Sequence, residues 1–192
     1  MTSLRVFLLV LSIMLLFSID NAEADDWELS LKNTNILDKN NFFEQCGHNE
    51  CVFIDAIVSG NYLYATAYGN DGGLFIIDIE EPTNPTLVGT YEDFYGDMAI
   101  SGNYVYLISS NLSIIDVEDP SNPTLAGILD NEGGCSIAIS GNYAYPHTGH
   151  SSFITVDIED PSNPSTVGQV DEQIDPNGHT CSVDISGNFA YI

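Results

Sequence analysis

The feature that most constrains this chain is a stretch that occurs three times at fixed internal spacing. "IIDIEEPTNPTLVG" carries Asp78, Pro82, Asn84, Pro85 and Gly89. "IIDVEDPSNPTLAG" carries Asp116, Pro120, Asn122, Pro123 and Gly127, and "TVDIEDPSNPSTVG" carries Asp157, Pro161, Asn163, Pro164 and Gly168. A second marker interleaves with it: "SGNY" begins at Ser59, Ser101 and Ser140, and "SGNF" at Ser186, in steps of 42, 39 and 46 residues. An aromatic pair follows each time, ending in Tyr64, Tyr106, Tyr145 or Tyr191. Self-similarity at about 40 residues means that one supersecondary unit is repeated and that neighbouring units bury a shared core.

Each unit reads as four short strands. "CSIAIS" (135–140) is apolar with small polar interruptions, and Gly141-Asn142 is a two-residue hairpin turn of the kind that needs positive φ. "YAYP" (143–146) returns, and "SFITVDI" (152–158), rich in β-branched residues, is the third strand. Pro161 and Pro164 forbid a continuing central strand and make a rigid corner before "STVGQV" (165–170), the fourth strand. The strands lack a clean apolar/polar alternation, which suits sheets buried on both faces. About 40 residues is too few for a sandwich domain and too many for one solenoid coil. Four antiparallel strands per unit is the arithmetic of a β-propeller blade. The expected fold is therefore all-β: a propeller with about three complete blades and the start of a fourth.

"ISGNYVYL…LSIIDVEDPSNPTLAG" resembles the LVIVD repeat of bacterial and archaeal cell-surface and secreted proteins. Choice-of-anchor surface proteins carry similar "IIDVSDPxNP" runs. The resemblance covers roughly residues 51–192 and implies a β-propeller. It brings no catalytic motif, so no functional residue is carried over from it. The chain stops at "FAYI", inside the second strand of a fourth blade. A strand without further partners is an exposed sheet edge, so a fragment of a longer propeller is expected.

The first residues lie outside this pattern. Arg5 precedes an apolar run from Val6 to Ile19, and "NAEA" ends in a small-x-small pattern at Ala22 and Ala24. That is the layout of a secretory signal peptide over residues 1–24, too short for a comfortable membrane span. Residues 25–50 match the repeat poorly; "WELSLKNTNIL" is a candidate closing strand. The mature chain, with no transmembrane helix, is thus expected to be secreted or at the cell surface.

The formal charge is −25, with 28 acids against three basic residues. An acidic surface excludes nucleic acid and disfavours anionic membranes as partners, since both need a basic face. Cations, basic partners or a salty exterior fit better.

Strand direction orders the loops. In an up-and-down blade the "SGN" and "PxNP" turns share one face of the disc. The second–third loops and the blade connections share the other, and there the spacing varies: Ser to Asp is 19, 15 and 17 residues, and Asp to the next Ser is 23, 24 and 29. Variable loops on a fixed scaffold are where binding usually resides. "YGNDGG" (68–73), "YEDFYGD" (91–97), "DNEGGC" (130–135), "PHTGH" (146–150) and "DEQIDPNGHTC" (171–181) all fall on that face.

Asp78, Asp116 and Asp157 read as structural, each accepting backbone N–H bonds in its turn, rather than as a ring of cation ligands. His147, His150 and His179 are candidates for a Zn or Cu site, but a spacing of three within a loop fixes no geometry and exposed loop histidines are commoner. Cys46 and Cys51 suggest a small local disulfide loop. Cys135 and Cys181 occupy equivalent positions, five residues before Ser140 and Ser186, and suggest a disulfide between blades. "DPNGH" and "NDGG" have the flavour of Ca2+ loops without the full ligand pattern. Asn111 heads the one glycosylation sequon with an allowed middle residue. No nucleophile elbow, phosphate loop or metal helix is present. These readings converge on a non-catalytic surface module that binds protein, glycan or a cation through the variable-loop face, with no cofactor. The alternative is a carbohydrate hydrolase or lyase whose site is completed by further blades.

Overall fold

The computed structural model describes residues 52–69, 72–92, 94–147, 153–170 and 182–191. Within them the regular structure is β-strand alone. β1 (Val52–Ser59), β2 (Tyr62–Tyr68), β3 (Gly73–Asp78) and β4 (Thr86–Glu92) form one antiparallel sheet in chain order. The second sheet comprises β5 (Asp97–Ser101), β6 (Tyr104–Ile108), β7 (Leu112–Asp116) and β8 (Thr124–Leu129). The third comprises β9 (Ser136–Ser140), β10 (Tyr143–His147), β11 (Phe153–Asp157) and β12 (Ser165–Val170). β13 (Asp184–Ser186) and β14 (Phe189–Tyr191) pair as the inner half of a fourth. These meanders are propeller blades. Their innermost strands β1, β5, β9 and β13 lie side by side in sequence order.

The hairpin joining the first two strands is the same in every blade. Gly60, Gly102, Gly141 and Gly187 all have φ of 59°, while the following Asn is not left-handed. Positive φ confined to the first central residue is the type II′ turn, whose twist matches that of the flanking strands. A bulge also recurs. Ile76 pairs with Gly89 but Ile77 with Leu87, leaving Val88 as the extra residue. Ala126 and Val167 are the equivalent extra residues in β8 and β12.

Burial explains the missing alternation. In β3, Leu74 and Ile76 face a core shared with the second blade through Met98, Val105, Leu107, Ile115 and Val117. Phe75 and Ile77 face the other side with Ala67. In β7, Ile115 belongs to the core between the first and second blades, whereas Ile114 joins Ile137, Ala144, Ile154 and Val156 between the second and third. A strand with a core on each side is apolar at successive positions. Tyr64 and Tyr106 are buried in these seams; their fourth-blade equivalent, Tyr191, is exposed.

Candidate functional site

The corner face consists of bonds closed within each blade. Asp78 Oδ1 accepts the N–H of Glu80 at 2.8 Å, Asp116 that of Glu118 at 2.9 Å, and Asp157 that of Glu159 at 2.9 Å. The N–H between each Asp and its Glu ties corner to hairpin. Ile79 donates to the Asn61 carbonyl at 2.8 Å, Val117 to Asn103 at 2.8 Å and Ile158 to Asn142 at 2.9 Å. In the second and third corners Asp119 and Asp160 each accept the N–H and hydroxyl of the Ser two residues on. Those serine bonds, first the hydroxyl, hold both exposed carboxyls below the ordinary carboxylate value. With lone pairs turned to local N–H groups, these acids are turn residues.

A second set of polar groups lies on the innermost strands and was not singled out in the sequence. Asp55 Oδ2 accepts the N–H of Met98 in the next blade at 3.1 Å, and its Oδ1 takes Ala56 N–H at 2.8 Å. One blade on, Asp97 Oδ2 accepts the N–H of Ile137 at 2.9 Å. At the third junction the acceptor is the Ser136 hydroxyl, which takes Val183 N–H at 3.2 Å. Asp55, Asp97 and Ser136 all stand four residues before the hairpin Ser, so one acceptor oxygen per repeat joins each blade to the next. Partial burial pushes the carboxyls of Asp55 and Asp97 up from the ordinary value, opposed by the N–H bonds each accepts; the charge on Asp55 adds to the rise at Asp97. The signal was legible as an acid four residues before "SGNY" in two copies, hidden by serine in the others.

The variable-loop face gathers aromatic rings and small polar groups. The Tyr68 ring, 55% exposed, meets Tyr95 edge to face with centroids 5.0 Å apart. Tyr91 stacks on Phe94 at 5.8 Å. Beside them is a cavity of about 180 Å³ lined by Phe94, Tyr95, Leu107, Ser109, Asn111 and Ser113 among others. Hydrogen bonds hold the segment that lines it. Ser109 N–H donates to the Asn111 carbonyl, Gly134 N–H to the Ser109 carbonyl, and Asn111 Oδ1 accepts Asn131 N–H at 3.1 Å. Gly96, at φ 144°, packs against the Ile108 carbonyl, where a Cβ would sit at 1.9 Å. Asn111, the sequon residue, is thus a half-buried member of the cavity wall.

His147 is not a loop residue. β10 continues through Pro146, and His147 pairs with Ser136 on one side and Phe153 on the other, at 3% exposure. Its Nδ1 lies 3.9 Å from Cys135 Sγ. His150 and His179 lie outside the described residues. Among the described residues no group of three or more His, Cys, Asp or Glu comes together to hold a metal. Cys135, exposed at the start of the third blade, is disulfide-bonded. Cys46, Cys51 and Cys181 lie outside the described residues, as do all of "DPNGH" and the Asn70-Asp71 half of "NDGG". Among the described residues no helix is long and apolar enough to cross a membrane.

Comparison with solved structures finds partial likenesses. The N-terminal domain of Nup159 aligns at 13% identity and a TM-score of 0.47, over 70% of this chain and 36% of that one. A complex of S. cerevisiae Dbp5 with Nup159, Gle1, IP6 and ADP aligns at 14% and 0.47, over 71% and 36%. A europium-containing methanol dehydrogenase aligns at 8% and 0.47, over 62% and 25%. The chain thus spans about a quarter to a third of the length of these structures. No curated protein sequence matches. The LVIVD repeat profile matches residues 54–93, 96–131, 133–172 and 177–192, each span falling on one of the four blade positions. This chain belongs to the LVIVD repeat family.

Proposed function

We propose that the chain is an exported, non-catalytic binding module that engages carbohydrate at the cell surface through its variable-loop face. The observation that carries this reading is the juxtaposition of the Tyr68–Tyr95 pair with the cavity walled by Ser109, Asn111 and Ser113. A sugar ring has apolar C–H faces that pack on aromatic rings and hydroxyls that pair with amides and hydroxyls. Rigid aromatics beside a few fixed polar groups suit that chemistry. The charge of −25 favours neutral or basic sugars over anionic ones. Export rests on the leader ending at Ala24.

The test is calorimetric titration of the chain with a panel of neutral, basic and anionic oligosaccharides, with hydrolysis and elimination products assayed in the same samples. The expected result is binding of neutral or basic sugars, weakened tenfold or more by Tyr95→Ala and left unchanged by the corner variant Asn122→Ala. Loss of binding in the corner variant alone would overturn the assignment of the face. Turnover of a bound sugar would replace a binding role with an enzymatic one.

A further inference from the structure

One position in the second blade departs from the pattern that fills the seams between blades. Three residues before the corner Asp the first blade carries Phe75 and the third Ile154, both buried apolar side chains. The second blade carries Ser113 there, equally buried at 1% exposure. Ser113 sits opposite Leu107 on β6, and directly opposed residues share a face of the sheet. Leu107 packs into the core between the first and second blades, so the small side chain of Ser113 leaves room on that side. That room is part of the cavity of about 180 Å³.

Buried hydroxyls are ordinarily paired. The Ser113 hydroxyl has no hydrogen-bond partner among the described residues and opens onto the cavity instead. Asn111 supplies a second polar group. Its Oδ1 accepts the Asn131 N–H, and only the oxygen end of an amide can do so. Nδ2 is thereby left as a donor without a partner among the described residues. Phe94 and Leu107 complete the wall with apolar surface. The cavity is smaller than the roughly 300–1,000 Å³ that enclose a whole small ligand. It therefore takes one substituent or ring and leaves the rest of a chain outside, near the Tyr68–Tyr95 pair.

We propose that this cavity selects the acetamido group of an N-acetylated amino sugar, with Ser113 and Asn111 as the residues that set the preference. The inference rests on the carbohydrate reading above and names the sugar class. An acetamido group joins a methyl, a carbonyl acceptor and an N–H donor in one planar unit. The methyl packs on Phe94 and Leu107, the carbonyl oxygen accepts from Asn111 Nδ2, and the N–H donates to Ser113 Oγ. A hydroxyl on the same sugar carbon leaves the apolar wall uncovered and a buried polar group unpaired. A free amine brings a charge and no carbonyl. Sites built to hydrogen-bond a group reject analogues that lack it, because the site's own buried groups then go unpaired.

The experiment is calorimetric titration of the full chain with triacetylchitotriose, its deacetylated form and cellotriose, which differ only in the substituent at one carbon of each ring. Triacetylchitotriose is expected to bind at least roughly tenfold more tightly than either of the others. Ser113→Ala removes a hydroxyl that has no partner in the fold, so the variant should melt at or above the parent's temperature while losing most of the preference over cellotriose. Asn111→Asp keeps an acceptor for the Asn131 N–H but replaces Nδ2 by an oxygen. It should weaken triacetylchitotriose roughly tenfold and leave cellotriose unchanged. Equal affinity of the parent for triacetylchitotriose and cellotriose, or tighter binding of the deacetylated trimer, overturns the acetamido assignment and leaves the carbohydrate reading standing. An unchanged preference in both variants overturns the roles of Ser113 and Asn111. Failure of every sugar to bind overturns the carbohydrate reading and this inference with it.

Discussion

Alanine at the three equivalent glycines should have opposite consequences. In Gly127→Ala the new methyl would sit 2.2 Å from the Pro161 carbonyl oxygen, far inside the roughly 3.5 Å at which non-bonded atoms pack best. Both sides of the contact are strand or proline-corner backbone, so relief requires the second and third blades to separate locally. Overpacking of this kind costs about 1–3 kcal/mol, and rigid partners place it at the upper end. For a chain of this size each kcal/mol lowers the melting temperature by roughly 2–4 °C, so a fall of about 4–12 °C is expected. Gly89→Ala, with its methyl 2.0 Å from Pro120, should behave alike. At Gly168 the same methyl meets Thr155 at an ordinary 3.6 Å. No positive φ forbids alanine there, and reduced freedom in the unfolded chain should stabilise by about 0.4–1 kcal/mol. Thermal melts followed by far-ultraviolet circular dichroism, with urea unfolding in parallel, read all three variants. Equal destabilisation at Gly168 would show that the cost belongs to glycine in a strand and not to the contact with the next blade's proline corner. A silent Gly127→Ala would show that the blades do not approach as described.

Three further outcomes follow from the inner-strand acceptors. Asp97→Ala leaves the Ile137 N–H without its partner and should cost about 1–3 kcal/mol in urea unfolding; Asp97→Asn keeps an acceptor oxygen, sheds a partly buried charge, and should match or exceed the parent at pH 7. Because the folded Asp97 carboxyl titrates above the ordinary 3.8, its stabilising contribution is complete below 3.8 and is lost as pH rises through its folded value. The Asp97→Asn advantage in melting temperature should therefore be largest at pH 7 and vanish as pH falls to about 4; a constant difference would refute the desolvation account. Ser136→Ala removes the acceptor of Val183 N–H, and should speed amide exchange at Val183 while leaving the first junction unchanged.

What could be read in the sequence follows from what a repeat displays by itself. The Asp-to-Gly spacing located third strand, corner and fourth strand because proline and glycine restrict the backbone locally, and "STVGQV" coincides with β12. Strand ends shifted by a residue or two: the first strand of the third blade starts at Ser136 and its third strand covers Phe153–Asp157. By repeat spacing His147 belongs to the second–third loop "PHTGH" (146–150). In the blade Pro146 is fully buried within β10, and the strand runs on to His147. The reason for Gly89 and Gly127 was invisible, because the atom that excludes a side chain belongs to the next repeat. The inner-strand acceptors were missed for a chemical reason: carboxylate and hydroxyl perform the same task, so Asp55, Asp97 and Ser136 do not look like one position. The aromatic cluster on the variable face joins Tyr68 and Tyr95 from different blades, and only folding brings them together.

One acceptor oxygen per repeat joins each inner strand to the next. Residue-resolved amide hydrogen exchange of the folded chain at Met98 and Ile137 tests it most directly. The account predicts that both amides exchange as slowly as those of the buried ladder, and that Asp55→Ala speeds Met98 and Asp97→Ala speeds Ile137, each without the other. Exchange of Met98 and Ile137 at the rate of open loops in the parent chain would contradict it.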